Sequence, residues 1–138
     1  MSDLFKTQSW ALKVPDSWIT DDSEEAVAFV PQGVDDAALI VSAFYKDSDI
    51  TMVEMREAIQ SAAHDGTSFT EVRLGDFTGY HTSYTRRDNE GEAAWRVWCV
   101  FCRDVHLYIT YNCSLRRRGK DDATVDEMLR TLMCIRAA

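Results

Sequence analysis

The residues able to do chemistry are few, and their spacing does not gather them. Cys99-Val-Phe-Cys102 has the C-x-x-C spacing of a redox pair or half a zinc site. It lies inside Trp95–Cys102, a run of strand formers without Gly or Pro. Side chains three apart in a strand point to opposite faces, so these two sulfurs can neither bond each other nor share a metal. Cys113 sits in a second apolar strand and Cys134 at the end of the last predicted helix, so all four cysteines read as reduced, buried thiols. His64, His81 and His106 show no H-x-x-x-H or H-E-x-x-H spacing. His64 ends a predicted helix, and His81 and His106 fall on opposite faces of predicted strands, so no metal site is expected. No G-x-S-x-G, phosphate-cradling or dinucleotide glycine motif occurs, and the glycines are scattered at turns. No catalytic residue, metal or cofactor is expected.

Charge clusters complete the inventory. Asp21-Asp22-Ser23-Glu24-Glu25 and Asp35-Asp36 fall in predicted loops. Paired carboxylates do acid–base work only when buried at defined distances; solvated loop acids instead steer a basic partner. Arg116-Arg117-Arg118 is the one concentrated basic spot, and it reads as a solvated loop offsetting Asp121, Asp122, Asp126 and Glu127. The 138-residue chain carries 15 Lys and Arg against 23 Asp and Glu, a net charge of −8. That balance argues against nucleic acid, whose binders present a basic footprint. A hydrophobic share of 46% argues for a folded globule. No apolar run reaches the roughly 18 residues of a membrane helix, and the N-terminus has no signal-peptide pattern. A cytoplasmic protein that meets no membrane is expected.

The elements that must position these residues follow from periodicity. Strands are predicted at Ser9–Val14, Ala26–Val30 and Ala38–Lys46. Asp16-Ser17-Trp18 reads as a turn whose aromatic plugs one end of the sheet. Thr51-Met-Val-Glu54 is a capping box opening a helix, with Val53, Arg56, Ile59, Gln60 and Ala63 at 3–4 spacing and Met52, Met55 and Ala62 widening the apolar side. His64-Asp65-Gly66 ends it, with Gly66 suited to the left-handed C′ position. Strands at Phe69–Leu74, Phe77–Arg87, Ala93–Arg103 and Val105–Ser114 follow, the middle pair joined through Asp88-Asn89-Glu90-Gly91. A helix over about Ala123–Ile135 closes the chain, its stripe being Val125, Met128, Leu129, Leu132 and Met133. The order β-β-β-α-β-β-β-β-α predicts one domain over 1–138: an α+β fold with a curved antiparallel sheet of about seven strands and helices on its faces.

Turn positions predict a register. Tyr84 lies opposite Trp95, Thr82 opposite Val97 and Tyr80 opposite Cys99; Phe101 then faces His106, Cys99 faces Tyr108 and Val97 faces Thr110. One face carries Trp98, Val100, Val105, Leu107, Ile109 and Tyr111, with His81 beside Trp98. The other carries Tyr80, Tyr84, Trp95, Val97, Phe101, His106, Tyr108, Thr110 and Asn112. Rings with polar tips suit binding surfaces. The part of that second face left uncovered by a helix is the candidate site, with Tyr80, Tyr84, Trp95 and Tyr108 as candidate partner-binding residues.

Trp10-Ala-Leu-Lys-Val-Pro15-Asp-Ser-Trp18, then Ala38–Ala43, a helix, Phe77-Thr-Gly79-Tyr80, Ile109-Thr-Tyr111-Asn112 and a terminal helix resemble the PsbP-like and DcrB-like α/β/α sandwich superfamily over nearly the whole length. The resemblance implies a small bacterial member doing non-enzymatic work. Superfamily members bind a nuclear-transport GTPase, a photosynthetic complex or type VI effectors, and no catalytic residues carry over. A cytoplasmic protein-binding domain is therefore expected, acting as chaperone or immunity-type protein for a secreted effector or toxin. The alternatives are a binder of an apolar small molecule or peptide under the curved sheet, and an enzyme of unrecognised type.

Overall fold

The computed structural model describes residues 2–23, 25–63, 67–89 and 91–135. The segment His64–Gly66, expected to end a helix, lies outside them, as do Glu24 and Glu90. The described strands are β1 (Ser2–Lys6), β2 (Trp10–Pro15), β3 (Trp18–Asp22), β4 (Val27–Pro31), β5 (Ala37–Tyr45), β6 (Phe69–Leu74), β7 (Phe77–Asp88), β8 (Gly91–Cys102), β9 (Val105–Ser114) and β10 (Met133–Cys134). Helix α1 spans Met52–Ala62 and α2 spans Asp122–Arg130, with a 3-10 turn at Leu115–Arg117. A seven-stranded antiparallel sheet has the order β3-β4-β5-β9-β8-β7-β6, and a small sheet has the order β1-β2-β10. The α+β class and the antiparallel sheet expected from the sequence are both present.

The predicted hairpin register holds at each pair: Tyr84↔Trp95, Thr82↔Val97, Tyr80↔Cys99, Phe101↔His106, Cys99↔Tyr108 and Val97↔Thr110. Because strand side chains alternate, that register fixes both faces. Trp98, Val100, Leu107, Ile109 and Tyr111 join the main core, and His81 stacks on Trp98 with centroids 4.6 Å apart. Gly79 is no turn glycine but sits within β7, where a Cβ would meet the Cys99 carbonyl oxygen at 2.0 Å. A side chain there would push the two longest strands apart.

Three strands depart from the sequence reading. β1 pairs with β2 through Ser2–Lys6, although four of its five residues are exposed. Phe5 is its anchor, with ring centroids 5.6 Å from both Trp10 and Phe29, so the small sheet packs on β4. Trp18 does not plug a sheet end from a turn; it opens β3 and is 8% exposed in the main core. Asp21 and Asp22, expected in a loop, pair with Ala28 and Val27 along that edge strand. The last helix stops at Arg130, short of the expected Ile135. Leu132 passes beneath the Gly75 turn, and Met133 and Cys134 pair with Ala11 and Trp10 as a strand. Gly75, at φ +60°, has no room for a side chain, since a Cβ would lie 2.0 Å from the Leu132 carbonyl oxygen.

The helices take different faces. α2 brings Val125, Met128 and Leu129 to the main core beside the small sheet. α1 lies on the other face, over β7 and β8, where Ile50, Met55 and Ile59 cover Val97 and Cys99. Its buried line is Met55 and Ile59, flanked by half-buried Met52, Ala58 and Ala62. Val53 is 66% exposed and Arg56 and Gln60 are also outward, so the stripe expected through them is rotated away from the sheet. The capping box at its start is present: Glu54 N donates to Thr51 Oγ1 at 3.3 Å and Thr51 N to Glu54 Oε2 at 2.9 Å.

Candidate docking surface

The placement of α1 decides what the second sheet face can do. It covers β7 and β8, and among the described residues no layer lies above the β3–β4–β5–β9 half. Alternation brings to that half Ile19 from β3, Ala28 and Val30 from β4, Ile40 and Phe44 from β5, and Tyr108 from β9. Ile19 and Phe44 are each 54% exposed, and the others are half-buried. Half-buried Ser42 and Asn112 supply hydrogen-bonding tips between them, while Thr110 on the same face is buried. An exposed apolar stretch with a polar rim is the surface pattern of an interaction site.

The four residues expected to bind a partner divide along the boundary of this surface. Tyr80 packs edge-on against Phe69, 5.5 Å between centroids, on the covered side. Tyr84 and Trp95 stack at 6.4 Å and 10°, at the hairpin end of the sheet. Trp95 pairs with Asn112, which pairs with Ala38, so this stack continues into the open half. Tyr108 sits opposite Ser42 on one side and Cys99 on the other. It therefore bridges the covered and open halves. Tyr80, Tyr84 and Tyr108 all touch the cluster beneath α1, and all four rings are half-buried. Burial raises the Tyr84 and Tyr108 hydroxyls above their ordinary range, so both are neutral hydrogen-bonding groups.

Sequence reasoning missed the β3–β5 contribution: Ile19, Val30, Ile40 and Phe44. The signal was the second parity of the apolar runs at Ala26–Val30 and Ala38–Lys46, which alternation alone could not assign to an open or covered face.

At one end of the open half, a groove of about 510 Å³ runs between β5 and α1, lined by Phe44, Ile50, Met55, Ala58 and His106. Its rim carries Lys46, Glu54 and Glu57, and Lys46 Nζ lies 2.5 Å from Glu54 Oε1. This open, charge-rimmed groove differs from the enclosed apolar pocket that a small-molecule binder would show. His106 lies beneath Phe44, centroids 5.8 Å apart, with a buried and unpartnered Nε2. Burial, then Lys46, depresses its pKa, so the ring is neutral at pH 7.

The remaining reactive groups serve the fold. Cys99 is sealed under α1 and burial pushes its thiol up to about 12, far from a working nucleophile. Arg117 grips the buried Asp121 through two bonds of 2.8 and 2.9 Å, and Tyr111 Oη donates to the same carboxylate. Arg116 reaches Asp36 at 3.4 Å, and Arg96 holds Asp126 at 2.7 Å while lying 4.7 Å over the Trp98 ring. The arginine run thus offsets Asp121, as expected, and also Asp36; Asp122 and Asp126 go to Arg96 instead. Among the described residues, no group of three His, Cys, Asp or Glu side chains is placed to hold a metal, and no helix is long and apolar enough to cross a membrane.

A half-covered antiparallel sheet flanked by one helix on each face is the α/β sandwich architecture that the sequence resemblance implied, and Mog1p shares this fold. No protein-family model matches the chain, and no curated protein is significantly similar. The likeness is to solved structures. A protein of Bacteroides thetaiotaomicron superposes with a TM-score of 0.71 at 15% identity over 91% of this chain, which spans 44% of that protein. The Saccharomyces cerevisiae Ran-binding protein Mog1p superposes with a TM-score of 0.62 at 10% identity, covering 99% of this chain and 96% of its own. Cyanobacterial PsbP from Synechocystis gives a TM-score of 0.45 at 13% identity, over 96% of this chain and 92% of its own. Identities this low establish the fold alone.

Proposed function

We propose that this chain is a non-catalytic protein-binding domain that docks a basic partner on the open half of its sheet. The single observation that carries the reading is the position of α1: it covers β7 and β8, and among the described residues none forms a layer over Ile19, Val30, Ile40 and Phe44. Covering those residues would remove apolar area from water at roughly 25 cal/mol per Å². Tyr108, Tyr84 and Trp95 continue the surface with rigid rings and polar tips. Asp21 lies on the open face beside Ala28, and Glu57 rims the groove. These acids and the net charge of −8 favour a cationic partner and disfavour a second copy of the same chain. The Ran-binding activity named for Mog1p shows one protein of this fold presenting a surface to another protein, and so supports the general reading.

The partner we favour is a secreted effector or toxin, held or neutralised in the cytoplasm as by a chaperone or immunity protein. Fast capture by charge and burial of an apolar patch suit that task.

The test is site-specific photo-crosslinking in the organism that makes the protein, with the reactive group at Ile40, at Phe44, or at Glu127 on α2. We expect one discrete adduct from the first two positions and none from Glu127. The adduct should be lost in an Ile19→Glu, Phe44→Ser variant that keeps its unfolding midpoint. Equal adducts at all three positions, or none at any, would overturn the assignment of the surface. A discrete partner whose own activity is unchanged on binding would retain the docking surface and remove the neutralising role.

A further inference from the structure

His106 carries a polar atom that the fold leaves unsatisfied. It stands opposite Phe44 in the β5–β9 ladder, with the two ring centroids 5.8 Å apart. Its Nε2 is buried yet meets no hydrogen-bond partner among the described residues. A buried nitrogen left in that state bears a desolvation cost that an incoming group relieves. The ring is neutral, so with its proton on Nδ1 it offers Nε2 as an acceptor and calls for a donor.

The groove that His106 lines has apolar walls and one uncommitted charge. Ile50 and Met55 form its buried wall, and Phe44, 54% exposed, stands at its mouth. The Ile50 amide donates to the Arg103 carbonyl at 2.7 Å and the Lys46 amide to the Asp104 carbonyl at 2.9 Å, so the walls are fixed before anything enters. At the rim, the Lys46 ammonium is tied to Glu54 at 2.5 Å, and Glu54 also accepts from the Thr51 amide. Glu57 lies about one turn further along α1, on the same side of the helix. It is exposed and has no ion-pair partner among the described residues. The rim thus asks for a cation, the buried nitrogen for an N–H or O–H, and the walls for carbon.

We propose that this groove is the subsite for one arginine side chain of the partner, an inference that rests on the docking surface described above. The aliphatic stem lies along Ile50 and Met55 while the charged head stays at the mouth. The guanidinium plane stacks on the Phe44 ring. Its fork of five donors serves two acceptors at once, the Glu57 carboxylate and His106 Nε2. A lysine ammonium has no plane to stack and is more strongly hydrated, so it loses more on leaving water. A tyrosine would satisfy Nε2 and leave Glu57 unpaired.

The test is an NMR titration of the isotope-labelled full chain with N-acetylarginine amide, followed at the ring resonances of Phe44 and His106. The expected result is a saturable shift at both rings, with a Kd of about 10 mM or tighter. N-acetylcitrulline amide keeps the stem and the planar donors without the charge, and it should bind about tenfold more weakly. Glu57→Gln, at an exposed position, should weaken the arginine probe about threefold, and His106→Phe about fivefold. Glu127→Gln, on α2, should leave binding unchanged. Glu57→Gln and the citrulline probe decide the matter even where His106→Phe disturbs the fold. No saturable shift at His106, or equal binding of N-acetyllysine amide or the citrulline probe, would overturn the arginine subsite. That failure beside discrete crosslinks from Ile40 and Phe44 would leave the docking face standing. Arginine binding as expected without any crosslink would support the subsite and count against the docking face.

Discussion

Asp121 shows how far a buried charge here is committed to structure. Its carboxylate is 6% exposed and takes Arg117 and Tyr111 at once, so the segment after β9 is bound to the start of α2. Asp121→Ala would strand a guanidinium and a phenol in a poorly hydrated place. We expect a loss of about 3–5 kcal/mol, read by chemical denaturation; a change below 1 kcal/mol would mean the pair is dispensable. His81 gives the pH counterpart. Burial, then the Arg96 charge, depresses its pKa below 6.5, against the carbonyl of Val97 and the charges of Asp122 and Asp126. His106 is depressed likewise, between Lys46 and Glu54. In both cases the unfolded chain takes up a proton before the folded one. Stability is therefore full above pH 6.5 and falls as pH drops through that value toward the folded pKa. A stability profile between pH 8 and pH 5 should show this fall, with a shallower slope in His81→Gln. A flat profile would contradict the depressed values.

At the scale of elements, α1 is held by few groups. Thr51→Ala removes the acceptor for the Glu54 amide and should cost about 1 kcal/mol. Because α1 seals Cys99, the same change should speed alkylation of that thiol, followed by mass spectrometry. Unchanged labelling would mean that the helix stays seated without its cap. Much of this level was legible beforehand. The turn at Arg103-Asp104 and the hairpin through Gly91 set the registers of β7, β8 and β9, because a two-residue period allows no half-steps. β1 was illegible because Ser2-Asp-Leu-Phe-Lys6 offers one half-buried residue, Phe5, and relies on Trp10 and Phe29 to receive it. β3 hid for a related reason: behind Trp18 all its residues are exposed. Which half of the sheet α1 would cover was not readable either. That choice rests on long-range anchors, the Ile50 amide on the Arg103 carbonyl at 2.7 Å and the Lys46 amide on the Asp104 carbonyl at 2.9 Å. The register put the four candidate rings on the face that α1 half covers, while the open part of that face lies mostly on strands whose parity could not be assigned.

At the scale of the molecule, net charge predicts how association responds to salt. A chain of −8 meeting a basic partner gains rate from long-range attraction, which a Debye length of about 10 Å at 0.1 M already trims. Once a partner is in hand, its association rate constant should fall by about tenfold or more between 0.05 and 0.5 M salt, with a smaller change in dissociation, measured by stopped-flow. A salt-independent rate would remove steering from the account and leave apolar burial to explain affinity. The sides of the sheet bear on the same question. β3, at one margin, exposes Ile19, Thr20, Asp21 and Asp22, and β6, at the other, exposes Thr70, Glu71 and Arg73. Charges along a free strand margin repel a further strand from zipping onto it. Growth into ribbons is thereby blocked sideways at neutral pH. Replacing Asp21 and Asp22 with Asn removes that barrier, and lateral polymerisation should then appear first along β3.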